Sequence, residues 1–154
     1  TTLADICEIE GLSESRTGKL LAVCKTNEDR ELRRGLQIFT YDPATGAVDP
    51  QPIVRFDRAA LKSVGVDGIR PSGIVEIDGG GLLILDAQER MILELDASYR
   101  PVAWTPLDRK LHRQPEGIAV TSNGDLLIAD EGGRGRARLT RYGLRQDPAS
   151  GPPQ

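Results

Sequence analysis

Three times along this 154-residue chain a polar residue stands directly before a glycine and a branched apolar residue: Glu10-Gly11-Leu12, Ser72-Gly73-Ile74 and Glu116-Gly117-Ile118. In each copy an apolar run follows and ends on a second polar position: Lys25, then Asp86, then the pair Asp130 and Glu131. Carboxylates gathered with backbone carbonyls can hold Ca2+, a hard cation taking about six to eight oxygen ligands. Glu10, Glu116 and Glu131 are the candidate metal ligands, and Lys25, Ser72, Asp86 and Asp130 the candidate ligand-contacting residues beside them. The plainer alternative is that Glu10 and Glu116 accept hydrogen bonds from amides of neighbouring repeats, with Lys25 neutralising a carboxylate without any metal. No residue is assigned a catalytic role.

Other chemistries find too few parts. His112 is the sole histidine, on a loop before Gln114-Pro115, and no Gly-x-Ser-x-Gly elbow exists to complete a Ser-His-Asp arrangement. Gly132-Gly133-Arg134-Gly135 has the glycines of a phosphate loop but lacks the Gly-Lys-Ser/Thr ending and leads toward a strand, not a helix N-terminus. Arg134, Arg136, Arg138 and Arg141 form a basic cluster. On a strand the first three would share a face, either solvated or turned to an anionic ligand or headgroup. Cys7 and Cys24 allow one disulfide or two buried thiols, and with one histidine they make a structural zinc site untenable. Trp104 and Tyr99 read as packing residues of an outer strand and its turn.

The elements that must position these residues repeat with them. Each copy runs strand, tight turn, buried strand, longer loop, alternating strand. The buried strands are Leu20–Cys24, Leu82–Leu85 and Leu126–Ala129, and the alternating ones Leu36–Tyr41, Met91–Leu95 and Arg138–Tyr142. Asn123-Gly124 predicts a type I′ hairpin turn, which needs positive φ at both central residues. Turns at Asp42–Gly46 and Asp96–Arg100 lead to fourth strands at Ile53–Phe56 and Val102–Leu107, and the third copy has none. Copies start at 10, 72 and 116, and the second interval matches the roughly 40–45 residues of a propeller blade. The longer first interval includes Asp57–Arg70, with a short helix expected over Arg58–Val64. The fold class is therefore all-β: a β-propeller of about three four-stranded blades, part of a six-bladed ring, the last blade incomplete. Residues 1–143 form the partial propeller, with Thr2–Cys7 the end of a preceding blade, and residues 144–154 a disordered tail.

Because the antiparallel second strand returns to where the first began, Glu10, Lys25, Ser72, Asp86, Glu116, Asp130 and Glu131 fall on one rim of the central channel. Three blades cannot close a ring of about four to eight. The chain is half of a longer propeller, or completes a ring with another chain, and its open edges invite self-association.

Composition sets the remaining bounds. A net charge of −3, from 20 Lys+Arg against 23 Asp+Glu, gives no global pull toward nucleic acid, and no aromatics interleave with the basic cluster. No apolar run approaches the roughly 20 residues of a transmembrane helix. A start at Thr1 without Met reads as a processed or trimmed chain, whose export signal would lie upstream.

The ordered series Glu10-Gly-Leu-Ser, Leu20-Leu-Ala-Val-Cys-Lys25, Arg70-Pro-Ser-Gly-Ile74, Leu82-Leu-Ile-Leu-Asp86, Gln114-Pro-Glu-Gly-Ile118 and Asp130-Glu-Gly-Gly133 resembles the C-terminal half of the SdiA-regulated family, the YjiK-like bacterial propellers. The resemblance spans about residues 5–143. It implies a six-bladed propeller of the bacterial cell envelope or periplasm, without established enzymatic activity, with calcium as the cofactor and an unidentified small ligand or protein as the partner at the rim. A cytoplasmic location stays open. The alternative is a metal-dependent hydrolase of the lactonase or phytase-like type, since such propellers use similar steps, with Glu10, Glu116 and Glu131 among its ligands.

Overall fold

A computed structural model describes residues 7–27 and 34–143, the side chains of 25–27 excepted. The expected tail at 144–154 and most of the Thr2–Cys7 segment lie outside the described residues. Three antiparallel sheets follow one another along the chain. The first joins β1 (Cys7–Glu14), β2 (Leu20–Asn27) and β3 (Leu36–Asp42), with β4 (Ala47–Val48) and β5 (Val54–Phe56) both on the outer edge of β3. After helix α1 (Arg58–Lys62), the second is β6 (Pro71–Glu76), β7 (Leu82–Asp86), β8 (Met91–Leu95) and β9 (Pro101–Pro106). The third is β10 (Pro115–Val120), β11 (Leu126–Asp130) and β12 (Arg138–Tyr142), three strands as expected. The sheets are blades of a partial β-propeller, with β1, β6 and β10 as neighbouring inner strands.

The hairpins at the ends of the inner strands share one hydrogen-bond pattern. Ser15, Ile77 and Thr121 each donate N–H to the carbonyl four residues on, and accept at their own carbonyl from Gly18, Gly80 and Gly124. Each of those glycines has positive φ, between 76° and 89°. Asn123 does not, so the expected type I′ turn is corrected to a longer loop with one left-handed residue before the ladder resumes. Only that residue must carry positive φ, and glycine carries it without steric cost.

Blade packing buries two apolar clusters. The larger fills the space between blades 1 and 2 with Leu21, Val23, Leu36, Ile38, Ile74, Leu82, Ile84, Leu93 and Leu95, and α1 adds Leu61 from the inserted segment. Asp57 caps α1 by accepting from Ala60 N–H at 2.7 Å, and the helix stops at Lys62, short of the expected Val64. The smaller cluster, Leu85, Ile92 and Ile128 with Ile118 and Leu126 against it, joins blades 2 and 3. At the hairpin end Arg16 Nε donates to Glu76 Oε1 at 2.7 Å, clamping blade 1 to blade 2. Cys7 and Cys24 are joined by a disulfide, which ties β1 to β2 over 17 residues. Among the described residues no helix is long and apolar enough to cross a membrane.

Candidate functional site

The recurring residue before each glycine has a common structural cause. In β6, Pro71 pairs Asp86 and Gly73 pairs Leu85, leaving Ser72 as an extra residue; in β10, Pro115 pairs Asp130 and Gly117 pairs Ala129, leaving Glu116. In β1, Ile9 pairs Cys24 and Gly11 pairs Val23, leaving Glu10. All three are β-bulges, which break the ladder and re-aim a side chain at the start of an inner strand. Lys25 is the extra residue on β2 facing this bulge. Its side chain lies outside what is described. The glycine then allows close approach: a Cβ on Gly11 would stand 2.9 Å from the Gly73 Cα, and one on Gly73 3.1 Å from Ile118 Cγ2.

The seven candidate residues do share this end of the blades, but their tasks differ. Ser72 is buried and donates its hydroxyl to the Pro115 carbonyl at 3.0 Å, a staple from blade 2 to blade 3. Asp86 is fully buried; its carboxylate accepts from Arg70 N–H at 2.7 Å and from Gln88 and Glu89 N–H, both at 2.9 Å. Burial pushes the Asp86 carboxyl above the ordinary carboxylate value, against the opposite pull of the Glu89, Arg70 and Gln88 amides. Asp130, also buried, accepts from Gln114 N–H at 3.1 Å. These three side chains are spent on hydrogen bonds within the fold. Glu131 is exposed and accepts from Gln114 Nε2 at 2.6 Å, while Glu10 is half-buried and Glu116 exposed.

Among the described residues no group of three or more His, Cys, Asp or Glu side chains is placed to hold a metal ion. Glu10, Glu116 and Glu131 are not brought together into such a group.

His112, weighed from the sequence only as a triad histidine, has a different place in the structure. It is completely buried, with Nδ1 2.7 Å from Asp130 Oδ2 and Nε2 2.6 Å from the Tyr142 hydroxyl. An ionised carboxylate only accepts, so an Nδ1 proton faces Asp130, while Nε2 and the phenol share the second bond. Partial burial first, then the charges of Asp108 and Asp130, raises the Tyr142 phenol above its ordinary value. No signal in the sequence marks this chain of bonds, because its members lie 18 and 30 residues from His112.

Two clefts open at the same end. One, about 450 Å3, lies between blades 2 and 3 and is lined by Arg70, Ser72, Gln88, Arg90, Arg113 and Glu116, among others. The other, about 510 Å3, lies over blade 3 between Leu111–Gln114 and the 130–138 loop. Both are lined by Arg113 and Gln114, which makes them neighbours. The strand face expected to carry Arg134, Arg136 and Arg138 is not formed. β12 begins only at Arg138, and Gly135 N–H closes a tight turn on the Gly132 carbonyl at 2.6 Å, so Arg134 and Arg136 stand on the loop. Arg141 leaves the cluster for the opposite end, where its Nε donates to Asp125 at 2.7 Å.

Bulged inner strands, repeated hairpins and side-by-side blades define this chain as a partial β-propeller. Its third blade is also recognisable by sequence: a family model of the NHL repeat matches residues 113–142. No curated protein matches the sequence. Solved structures of propeller type do match its fold. A protein of unknown function from Bacteroides caccae aligns with 91% of this chain and 43% of its own, at 16% identity and a TM-score of 0.58. A luciferin-regenerating enzyme aligns over 92% and 46%, at 13% identity and a TM-score of 0.60. Virginiamycin B lyase from Staphylococcus aureus aligns over 90% and 42%, at 14% identity and a TM-score of 0.50. At these identities the likeness is one of fold, and the chain spans less than half the length of these structures.

Proposed function

We propose that this chain is the ligand-binding part of a non-catalytic propeller, engaging its ligand at the end where the inner strands begin. The observation that carries the reading is the division of labour at that end. The groups that chemistry would call on, Asp86, Asp130 and His112, are buried and spent on internal hydrogen bonds. The side chains lining the two adjoining clefts are mainly arginines, glutamines and glutamates. Guanidinium and amide groups orient a ligand well but are poor general bases near neutral pH, which leaves Glu116 and Glu131 as the candidate bases in the clefts. The neighbouring folds include a lyase and a luciferin-regenerating enzyme, so the fold itself favours neither binding nor catalysis. The ordered motif series supports a kinship with the SdiA-regulated propellers and, through it, a place in the bacterial cell envelope.

With no three carboxylates grouped among the described residues, a calcium ion at the rim would rely on few carboxylates, with carbonyl, hydroxyl or water oxygens completing its shell. Melting curves with calcium and with chelator test that ligand set. The decisive assay offers a lactone and a phosphomonoester with and without Ca2+, and follows both turnover and binding. Binding without turnover is the expected result. Calcium-dependent turnover that disappears in Glu116→Gln would replace this reading with the hydrolase one.

A further inference from the structure

We infer that the two adjoining clefts bind an acidic sugar, one carrying a phosphate or carboxylate group, through a field of arginines outside any described ion pair; the inference rests on the binding reading above. Arg70, Arg90, Arg113, Arg134, Arg136 and Arg138 line the clefts. Elsewhere in the molecule Arg16, Arg34, Arg58, Arg100 and Arg141 each meet a carboxylate. At the clefts the pattern changes. Arg90 Nε donates to the Arg113 carbonyl at 3.2 Å, Arg138 to the Leu111 carbonyl at 3.1 Å, and Arg70 to the Gln88 side-chain oxygen. These acceptors orient the guanidinium groups without cancelling their charge. Among the described residues none of the six is in an ion pair, although the chain as a whole carries net charge −3.

Guanidinium groups present a planar fork that matches the two oxygens of a carboxylate or phosphate. The tight turn at Gly132–Gly135 carries Arg134 and Arg136, which line the same cleft as Arg113. Between them the hydrogen-bonded Gln114–Glu131 pair offers donors and acceptors that suit hydroxyl groups. No aromatic ring lines either cleft, so a nucleobase would find nothing to stack on. The volumes, about 510 and 450 Å3, fit a small ligand of a few sugar units at most. Anionic charge, hydroxyl groups to meet the Gln114–Glu131 pair and no aromatic body are met together by an acidic sugar.

The test is calorimetric titration of the full chain with glucose 6-phosphate, glucuronate, glucose and inorganic phosphate at low salt. Amide spectra of the same mixtures locate the contacts. Either acidic sugar is expected to bind more tightly than glucose and than phosphate, to weaken as salt rises, and to shift the Arg113 and Gln114 signals. Arg134 and Arg136 carry no described hydrogen bond, so Arg134→Gln with Arg136→Gln should leave the fold intact and weaken binding about tenfold or more. Unchanged affinity in that double variant overturns the assignment, as does silence with both acidic sugars. Phosphate binding as tight as glucose 6-phosphate removes the sugar from the inference. Binding to phosphatidylglycerol vesicles but to neither soluble sugar moves the anion to a lipid surface and overturns it too. Glucose shifting Arg113 and Gln114 as strongly as the acids overturns the acidic class while leaving a binding rim in place. Turnover of a lactone or phosphomonoester would instead remove the binding reading beneath it.

Discussion

Blades 2 and 3 put an aspartate at the same place and use it differently. Asp86 faces Pro71 across the ladder and Asp130 faces Pro115, and each accepts the amide of the residue before that proline. The free oxygen of Asp86 then takes the Gln88 and Glu89 amides, folding the turn after β7 down onto the blade. In blade 3 the loop after β11 is longer, and Asp130 turns its second oxygen to His112. One aspartate anchors its own loop, while the other anchors a histidine, and its loop is held instead by Glu131 on Gln114 and by the Gly132–Gly135 turn. That longer loop is the one carrying Arg134 and Arg136, which line the cleft. The same repeat position thus fastens a short loop in one case and leaves a longer, cleft-lining loop to other bonds in the other.

The largest expected effect separates these two roles. Asp130→Ala leaves the buried His112 ring and the Gln114 amide without their acceptor, and should cost about 3–5 kcal/mol, at about 1–3 kcal/mol for each buried donor left unsatisfied. Asp86→Ala loses three backbone N–H partners and should cost about 2–3 kcal/mol, at roughly 1 kcal/mol per hydrogen bond. Denaturant unfolding of both variants checks the order. A smaller loss at Asp130 would mean that His112 adds no stability, and the contrast between the blades would collapse.

Much of this architecture is legible in the chain. The blade starts at 10, 72 and 116 show because the glycine step and the buried run recur together, and each occupies one strand. The bulges are not legible, since register depends on which residue of the partner strand is opposite. Arg134 and Arg136 read as alternate positions of a strand until Gly132 and Gly135 close a turn between them. Asp86 and Asp130 read as rim ligands because their position along the strand is visible, whereas burial is not. The two cysteines, 17 residues apart, are compatible with thiols or a bridge, and only the pairing of β1 with β2 decides.

A second contrast concerns what each inner strand packs against. Gly11 presses on blade 2, where an added Cβ meets the backbone at Gly73 and Ile74. Gly117 meets only the Ala129 Cβ of its own blade, at 3.3 Å. Backbone cannot rotate aside, so Gly11→Ala should force blades 1 and 2 apart and cost about 1–3 kcal/mol, as overpacking does. Gly117→Ala should cost less than about 1 kcal/mol by the same argument. Thermal unfolding of the pair reads the difference directly. Comparable losses would show that something covers Gly117 as closely as blade 2 covers Gly11, and blade 3 would then have to be counted as packed on both flanks.

The smallest effect sharpens the role of Asp86 alone. Burial raises its carboxyl above the ordinary value of 3.8. The folded protein therefore holds the proton more tightly than the unfolded chain does. The stability from that preference is fully present below about pH 3.8, the unfolded value, and fades as pH rises through the higher folded value. Asp86→Asn cannot titrate, so the advantage of the native protein over this variant should be greatest in acid and narrow toward neutrality. Unfolding free energies measured between pH 3 and pH 7 give the curve. An advantage that instead grew with pH would mean the three amides outweigh burial. The folded state would then favour the ionised form of Asp86 over the protonated one, and the contrast with Asp130 would reduce to the identity of the donor.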